Sequence, residues 1–175
     1  MTSPAQRPAY FVLVSPAYGG AEKRFFDIFR AMRRTGADVK MIAPSSLAER
    51  LLADHPDQPE LAGALVSIPM ASWSPLSFVR LFRQLLKSIP RGASFHYPMN
   101  CLWPLHLGRG DAVSMSVTNC INVPGPKAAN RSAKWSWASF FFVRRVDVLS
   151  PHILSRMTAY RAAPKMSLTP GGTFI

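Results

Sequence analysis

Continuous apolar runs alternate along this chain with longer stretches in which apolar residues recur every three or four positions. The first run, Tyr10–Val14, has the unbroken apolar character of a strand buried on both faces. It passes through a short Pro/Gly turn into a helix starting near Ala21 and running to Thr35, where Phe25, Phe26, Ile28, Phe29 and Met32 form one apolar face. Gly36 supplies the stop. A strand over Asp38–Ala43, a helix over Ser46–Ala53 with Ser45 as its cap, a loop holding Pro56 and Pro59, and a strand over Ala64–Ile68 follow. The clearest helical period lies in Pro75–Ser88: Phe78, Val79, Leu81, Phe82, Leu85, Leu86 and Ile89 follow it, and Arg80, Arg83, Gln84 and Lys87 occupy the other face.

The alternation continues to the carboxyl end. Strands are predicted at Ser94–Tyr97, Ala112–Thr118, Val146–Ser150 and Lys165–Thr169. Helical segments are predicted near Leu102–Leu107, over Ser132–Arg145 and near Pro151–Ala159, and a polar loop rich in Pro and Gly spans Asn119 to Asn130. Strands and helices at this spacing build right-handed βαβ units. The expected fold is therefore α/β: a Rossmann-like open parallel sheet of about six to seven strands with helices on both faces. Residues 1–175 are expected to form a single domain.

Composition narrows the class. An apolar fraction of 48% is that of an ordinary globular chain. The longest apolar stretch, Trp135 to Val143, is about half the roughly 20 residues that span a bilayer, and it ends on Arg144 and Arg145. The amino-terminal residues lack the layout of a secretory signal, so a cytoplasmic protein is expected. Cys101 and Cys120 stand outside any Cys-x-x-Cys or His-rich setting, which predicts reduced, semi-buried thiols and no metal site.

Charge adds a partner class. Lys and Arg number 21 against 9 Asp and Glu, a net +12, and such a surface attracts polyanions. The basic residues come in scattered pairs such as Lys23/Arg24, Arg33/Arg34 and Arg144/Arg145, with no dense tract and no nucleic-acid module. Several lie beside aromatic and aliphatic residues on amphipathic helices. That suits an anionic membrane surface, at the inner face, better than a nucleic-acid groove.

Open parallel sheets bind ligands at the carboxyl ends of their strands. The segments expected there are rich in Gly, Ser, Asn, Tyr and His and nearly devoid of carboxylates, Glu22 being the exception. That composition argues against metal-ion hydrolysis and paired-carboxylate glycosidase chemistry. Neither a P-loop nor a Gly-x-Gly-x-x-Gly fingerprint occurs. Gly19 and Gly20, between the first strand and its helix, leave backbone N–H groups bare at the positive end of a helix dipole, a setting for a phosphate or for a plain tight turn. Glu22 fits either a first-turn carboxylate favoured by that dipole or a ligand contact. His96 reads as an interior histidine or a site residue, and His152 as a first-turn residue of its helix. Trp135 and Trp137 with Phe140–Phe142 read as a helix packed on the sheet, or as a sugar-stacking or membrane platform.

The run Tyr18-Gly19-Gly20-Ala21-Glu22-Lys23-Arg24 resembles the amino-terminal signature of GT-B glycosyltransferases, closest to the retaining enzymes of family 4. Phe95-His96-Tyr97, Ser116-Val117-Thr118-Asn119, Val146-Asp147-Val148-Leu149-Ser150 and Leu168-Thr169-Pro170-Gly171-Gly172-Thr173 continue the resemblance in order along the chain. The resemblance implies the first, acceptor-side domain of a two-domain enzyme that moves a sugar from a nucleotide-sugar donor to a glycan or lipid-linked acceptor. The family's Glu-x₇-Glu element is absent, so a second domain or subunit is expected to complete the site. By the same resemblance Gly19 and Gly20 face the donor diphosphate, and Tyr97, Asn100, Asn119 and Glu22 lie on the acceptor side. Many family members carry His where Asn119 stands, and Asn cannot shuttle a proton. No cofactor beyond the nucleotide-sugar substrate is implied. The competing class is a non-catalytic basic adaptor module that binds anionic membrane or nucleic acid.

Overall fold

A computed structural model of the chain describes residues 8–98, 100–117, 138–157 and 166–168. Seven strands form one all-parallel sheet: β1 (Ala9–Val12), β2 (Val39–Pro44), β3 (Leu65–Ile68), β4 (Ser94–Tyr97), β5 (Ala112–Val117), β6 (Arg145–Val148) and β7 (Met166–Leu168). Their order across the sheet is β3-β2-β1-β4-β5-β6-β7, so the chain winds outward from β1 to one edge, then outward from β4 to the other. This is the open, doubly wound α/β sheet that alternating strands and helices predict.

Helices α1 (Gly20–Arg34), α2 (Ser45–Ala53), α3 (Pro75–Leu86) and α4 (Pro151–Met157) cover it, and residues 138–139 are also helical. Phe25, Phe26 and Phe29 of α1 and Leu47, Ala48 and Leu51 of α2 pack on the face formed by Phe11, Leu13, Val39, Met41 and Ala43. Phe78, Phe82 and Leu86 of α3 and Ile153 and Met157 of α4 pack on the opposite face, against Tyr10, Val12, Phe95, Tyr97, Met115 and Val146. The two cores are separated only by the sheet, because successive strand residues point to opposite sides. Each fully buried side chain such as Phe78 or Phe82 contributes about 1.5–3 kcal/mol relative to exposure.

Local chemistry fixes the helix ends. Ser74 caps α3 by accepting from the Ser77 N–H (3.4 Å), and Pro75 takes the first helical position, where no intrahelical N–H bond is needed. Arg33 and Arg34 sit in the last turn of α1, and Gly36, at φ 81°, donates its N–H to the Arg33 carbonyl (2.9 Å).

Several boundaries differ from expectation. Ser45 does not cap α2: β2 runs through Pro44 straight into the helix, Pro44 is the cap, and Ser45 is the first helical residue. The expected loop at Pro59 is a 3-10 turn, Pro59–Ala64, that buries Leu61 and Ala64 against the α2 side. The helix expected to reach Arg145 gives way sooner, because the Arg144 N–H donates to the Val113 carbonyl (2.7 Å) and Arg145 already pairs with Ser114 in β6. Cys101 is fully buried rather than semi-buried, and burial pushes its thiol up to about 12. Cys120, Asn119, Trp135 and Trp137 lie outside the described residues. No described helix is long and apolar enough to cross a membrane.

Candidate functional site

The chain reverses its winding direction between β1 and β4, and the carboxyl ends of these two strands flank the crevice where open α/β sheets hold ligands. A shallow crevice of about 20 Å³ lies there, lined by Val14 and Ser15 after β1, Ala21 and Glu22 of α1, and Pro98 and Asn100 after β4. That volume is room for about one water. The described residues therefore form a wall rather than an enclosure.

Gly19 is the N-cap of α1, with extended backbone at φ −141°. Its N–H donates to Glu22 Oε2 at 3.0 Å, one arm of a capping box; the reciprocal arm needs a side chain that glycine lacks. Glu22 thus serves the helix start and lines the crevice as well. A Cβ on Gly19 would come 3.3 Å from Glu22 Oε2, whereas a Cβ on Gly20 would meet nothing within 4 Å. Gly20 is exposed, so a bulkier residue there changes the approach to the helix N-terminus without disturbing packing. Asn100, at φ 53°, adopts the left-handed conformation that Asn tolerates better than most residues, and it lines the same crevice as Glu22.

Tyr97 does not join this wall. It is fully buried, its ring edge-on to Phe82, and its O–H donates to His106 Nε2 at 2.7 Å. A residue at the last position of a strand alternates with its neighbours, and the side chain of Tyr97 falls on the α3 face of the sheet. Of the residues expected at the site, the structure brings Gly19, Gly20, Glu22 and Asn100 to one end of the sheet and assigns Tyr97 to the core. Asn119 lies outside the described residues. His152 is exposed on α4, where its carbonyl accepts from Ser155 Oγ (2.9 Å). Phe140 is buried, while Phe141 and Phe142 remain about half exposed, with Phe142 stacked on Trp103 at 3.6 Å.

Two polar constellations were not anticipated. The first continues from Tyr97: His106 Nδ1–H donates to Asp111 Oδ2 (2.8 Å), Arg109 Nε donates to the same oxygen (2.8 Å), and the Gly92 N–H donates to Oδ1 (2.9 Å). Burial alone would raise the Asp111 carboxyl, but the bonds from His106 and Arg109 outweigh it and hold the group below the ordinary carboxylate range. Burial pushes His106 down despite Asp111, which favours the neutral ring. Asp111 follows the Gly108-Arg109-Gly110 turn, with both glycines at positive φ, and an acid entering a strand in so acid-poor a chain was the available signal.

The second lies on the α1 side of β4, β5 and β6, where Ser94, His96, Ser114, Ser116, Arg145 and Asp147 project. His96 Nδ1 is 2.8 Å from Ser114 Oγ, and Nε2 is 2.9 Å from Ser116 Oγ. Ser114 Oγ donates to the Phe95 carbonyl (3.3 Å), so it accepts from Nδ1–H, and Ser116 donates to Nε2. Asp147 Oδ1 accepts from Arg145 Nε (3.0 Å) and from Ser167 Oγ (2.6 Å). Burial lowers His96 to about 4, Asp147 offsetting part of this and Arg145 adding to it, so the ring is neutral at pH 7. A groove of about 550 Å³ runs over these residues beside α1. Its signal in the sequence is the period-two alternation of polar with apolar residues in three strands.

No group of three or more His, Cys, Asp or Glu side chains able to hold a metal ion occurs among the described residues. No protein-family model matches the chain, and no curated protein matches it in sequence.

Proposed function

We propose that this chain is the acceptor-side, Rossmann-like domain of a GT-B glycosyltransferase, working with a second domain or subunit to move a sugar from a nucleotide-sugar to a glycan or lipid-linked acceptor. The observation that carries the reading is the meeting of the Gly19-Gly20-Ala21-Glu22 helix start with Asn100 at the sheet's switch point. The positive end of α1 and its first N–H groups are suited to stabilising charge that develops on a leaving diphosphate. Glu22 occupies the Gly19 N–H in the free chain, so an incoming anion either displaces that carboxylate or uses the next N–H groups. The shallow crevice agrees with one wall of a two-walled cleft.

The test is a titration with pyrophosphate, UDP and GDP, following the backbone amides of residues 19–22 by NMR. Those amides are expected to shift, and Gly20→Val is expected to weaken the response at least tenfold. Because a Cβ at Gly20 meets open space, the same variant should change stability by less than about 1 kcal/mol. Unmoved amides, or equal loss of folding and binding, would remove the support for a diphosphate-facing turn. Robust sugar transfer by the 175-residue chain alone would overturn the two-part site.

A second reading, a basic adaptor at an anionic membrane surface, is favoured by one stripe. Leu76, Arg80 and Arg83 follow helical spacing along the exposed side of α3, with Trp73 just before it and Lys87 at its C-cap, and Leu76 is 82% exposed. No Asp or Glu occurs between Glu60 and Asp111 to oppose them. Sedimentation with phosphatidylcholine vesicles, with and without phosphatidylglycerol, tests it. Binding should require the anionic lipid and fall with Arg80→Glu/Arg83→Glu, and binding indifferent to both would exclude the stripe.

A further inference from the structure

The groove on the α1 side of β4–β6 shares no lining residue with the switch-point crevice. Its volume, about 550 Å³, lies within the range of roughly 300–1,000 Å³ typical of small-molecule sites. We propose that this groove is a second ligand site, for a neutral planar heterocycle of the nucleobase kind.

Three features select that chemistry. The wall along α1 is largely apolar, built from Phe25, Ile28 and Met32 with Arg24 beside them, while the floor is one face of the parallel strands β1, β4, β5 and β6. A flat, largely apolar ring fits between such surfaces better than a branched chain or a polyol. Apart from Arg24, the polar side chains lie on the floor and are few, as orientation-setting groups in small-molecule pockets are. Ser116 spends its proton on His96 Nε2 and keeps lone pairs as acceptors. Across the sheet, the Arg145 guanidinium uses Nε within the protein, and Asp147 uses Oδ1. Both residues line the groove, and the terminal guanidinium nitrogens and Asp147 Oδ2 stand outside these bonds as a donor and an acceptor.

Charges of both signs line the groove, Arg24 and Arg145 against Asp147, and they bear on the choice between a neutral and an ionic ligand. An anion attracted by Arg145 meets Asp147 within the same hydrogen-bonded pair, and a cation attracted by Asp147 meets Arg145 there and Arg24 on the α1 wall. An uncharged edge carrying both N–H donors and ring-nitrogen or carbonyl acceptors uses both groups without a like-charge contact. Nucleobases have that edge, and their faces are apolar enough for the α1 wall.

The site stands independently of the glycosyltransferase reading, and the two fail separately: pyrophosphate reports on residues 19–22, nucleosides on the groove. Adenosine, guanosine, cytidine and uridine are added to the whole chain, and the methyl signals of Ile28 and Met32 and the imidazole of His96 are followed by NMR. At least one nucleoside is expected to shift all three, with a Kd of about 1 mM or tighter. Asp147→Asn and Arg145→Gln, both partly exposed on β6 next to the edge strand, are each expected to weaken binding at least tenfold while leaving the fold intact. Ribose alone should leave the three signals unmoved. Shifts as large with ribose as with nucleosides would make this a polyol site and overturn the assignment. Unmoved groove signals with all four nucleosides, or binding unchanged in both variants, would overturn it equally.

Discussion

Strands β4, β5 and β6 present opposite chemistry on their two sides. Toward α3 and α4 they bury Phe95, Tyr97, Val113, Met115, Val146 and Val148. Toward α1, positions offset by one residue carry His96, Ser114, Ser116, Arg145 and Asp147. Each side also holds a histidine, and the two are stabilised differently. His106, enclosed by Phe82, Phe95 and Tyr97, is linked through Asp111 to Arg109, so a charge is buried only with its counter-charge and its hydrogen bonds. His96, between Phe11 and Phe25, has only hydroxyl partners and is held neutral. A parallel sheet is ordinarily apolar on both faces because helices cover both. The contrast teaches that one face of this half-sheet is built to be packed and the other to be polar.

The contrast breaks most visibly at Asp111. Asp111→Ala removes the acceptor of three donors and leaves the Arg109 guanidinium and His106 without their partner in the interior. A loss of about 3–5 kcal/mol is expected by urea denaturation. A loss below 1 kcal/mol would mean that the network is wet and the packed face is less closed than its burial indicates.

Met115 and Ser116 test the two sides within one strand. Met115→Ala opens a cavity in the α3-side core and is expected to lose about 2–5 kcal/mol. Ser116→Ala removes only the donor to His96 Nε2 and is expected to lose about 1 kcal/mol. Equal losses would show that both faces are packed alike.

How far the sequence revealed this depends on the kind of signal. The seven strands and the parallel sheet were legible because the apolar runs and the helical period of α1 and α3 are local patterns. The switch-point residues were legible in part. Gly19, Gly20 and Glu22 adjoin in sequence, so their meeting at a helix start needed no tertiary information. The family resemblance implies an acceptor-side Tyr97, yet which side it faces is set by register, and Tyr97 falls in phase with Phe95 on the core side. The Asp111 network and the polar face join residues from separate strands and turns. Sheet order alone brings His96 opposite Ser114 and Ser116 opposite Asp147, and no spacing along the chain encodes that pairing.

The smallest effect per step is the most specific to the polar face. His96 titrates near 4 in the fold against about 6.5 when unfolded, because burial disfavours the imidazolium. Below pH 6.5 the unfolded chain binds a proton that the folded chain refuses, so stability contributed by neutral His96 is present above 6.5 and is lost as pH falls toward 4. The loss per pH unit is at most about 1.4 kcal/mol for one such group. His106 and Asp111 also lose stability in acid, being lowered in the fold, so the wild-type profile alone does not isolate His96. His96→Gln keeps a hydrogen-bonding side chain between the serines and removes the titration. The difference between wild-type and variant unfolding free energies should therefore shrink steadily from pH 6.5 to pH 4 and stay flat above 7. A difference that does not vary with pH would mean that His96 is solvated as in the unfolded chain. In that case the polar face would be open to solvent down to its floor rather than shielded beside α1.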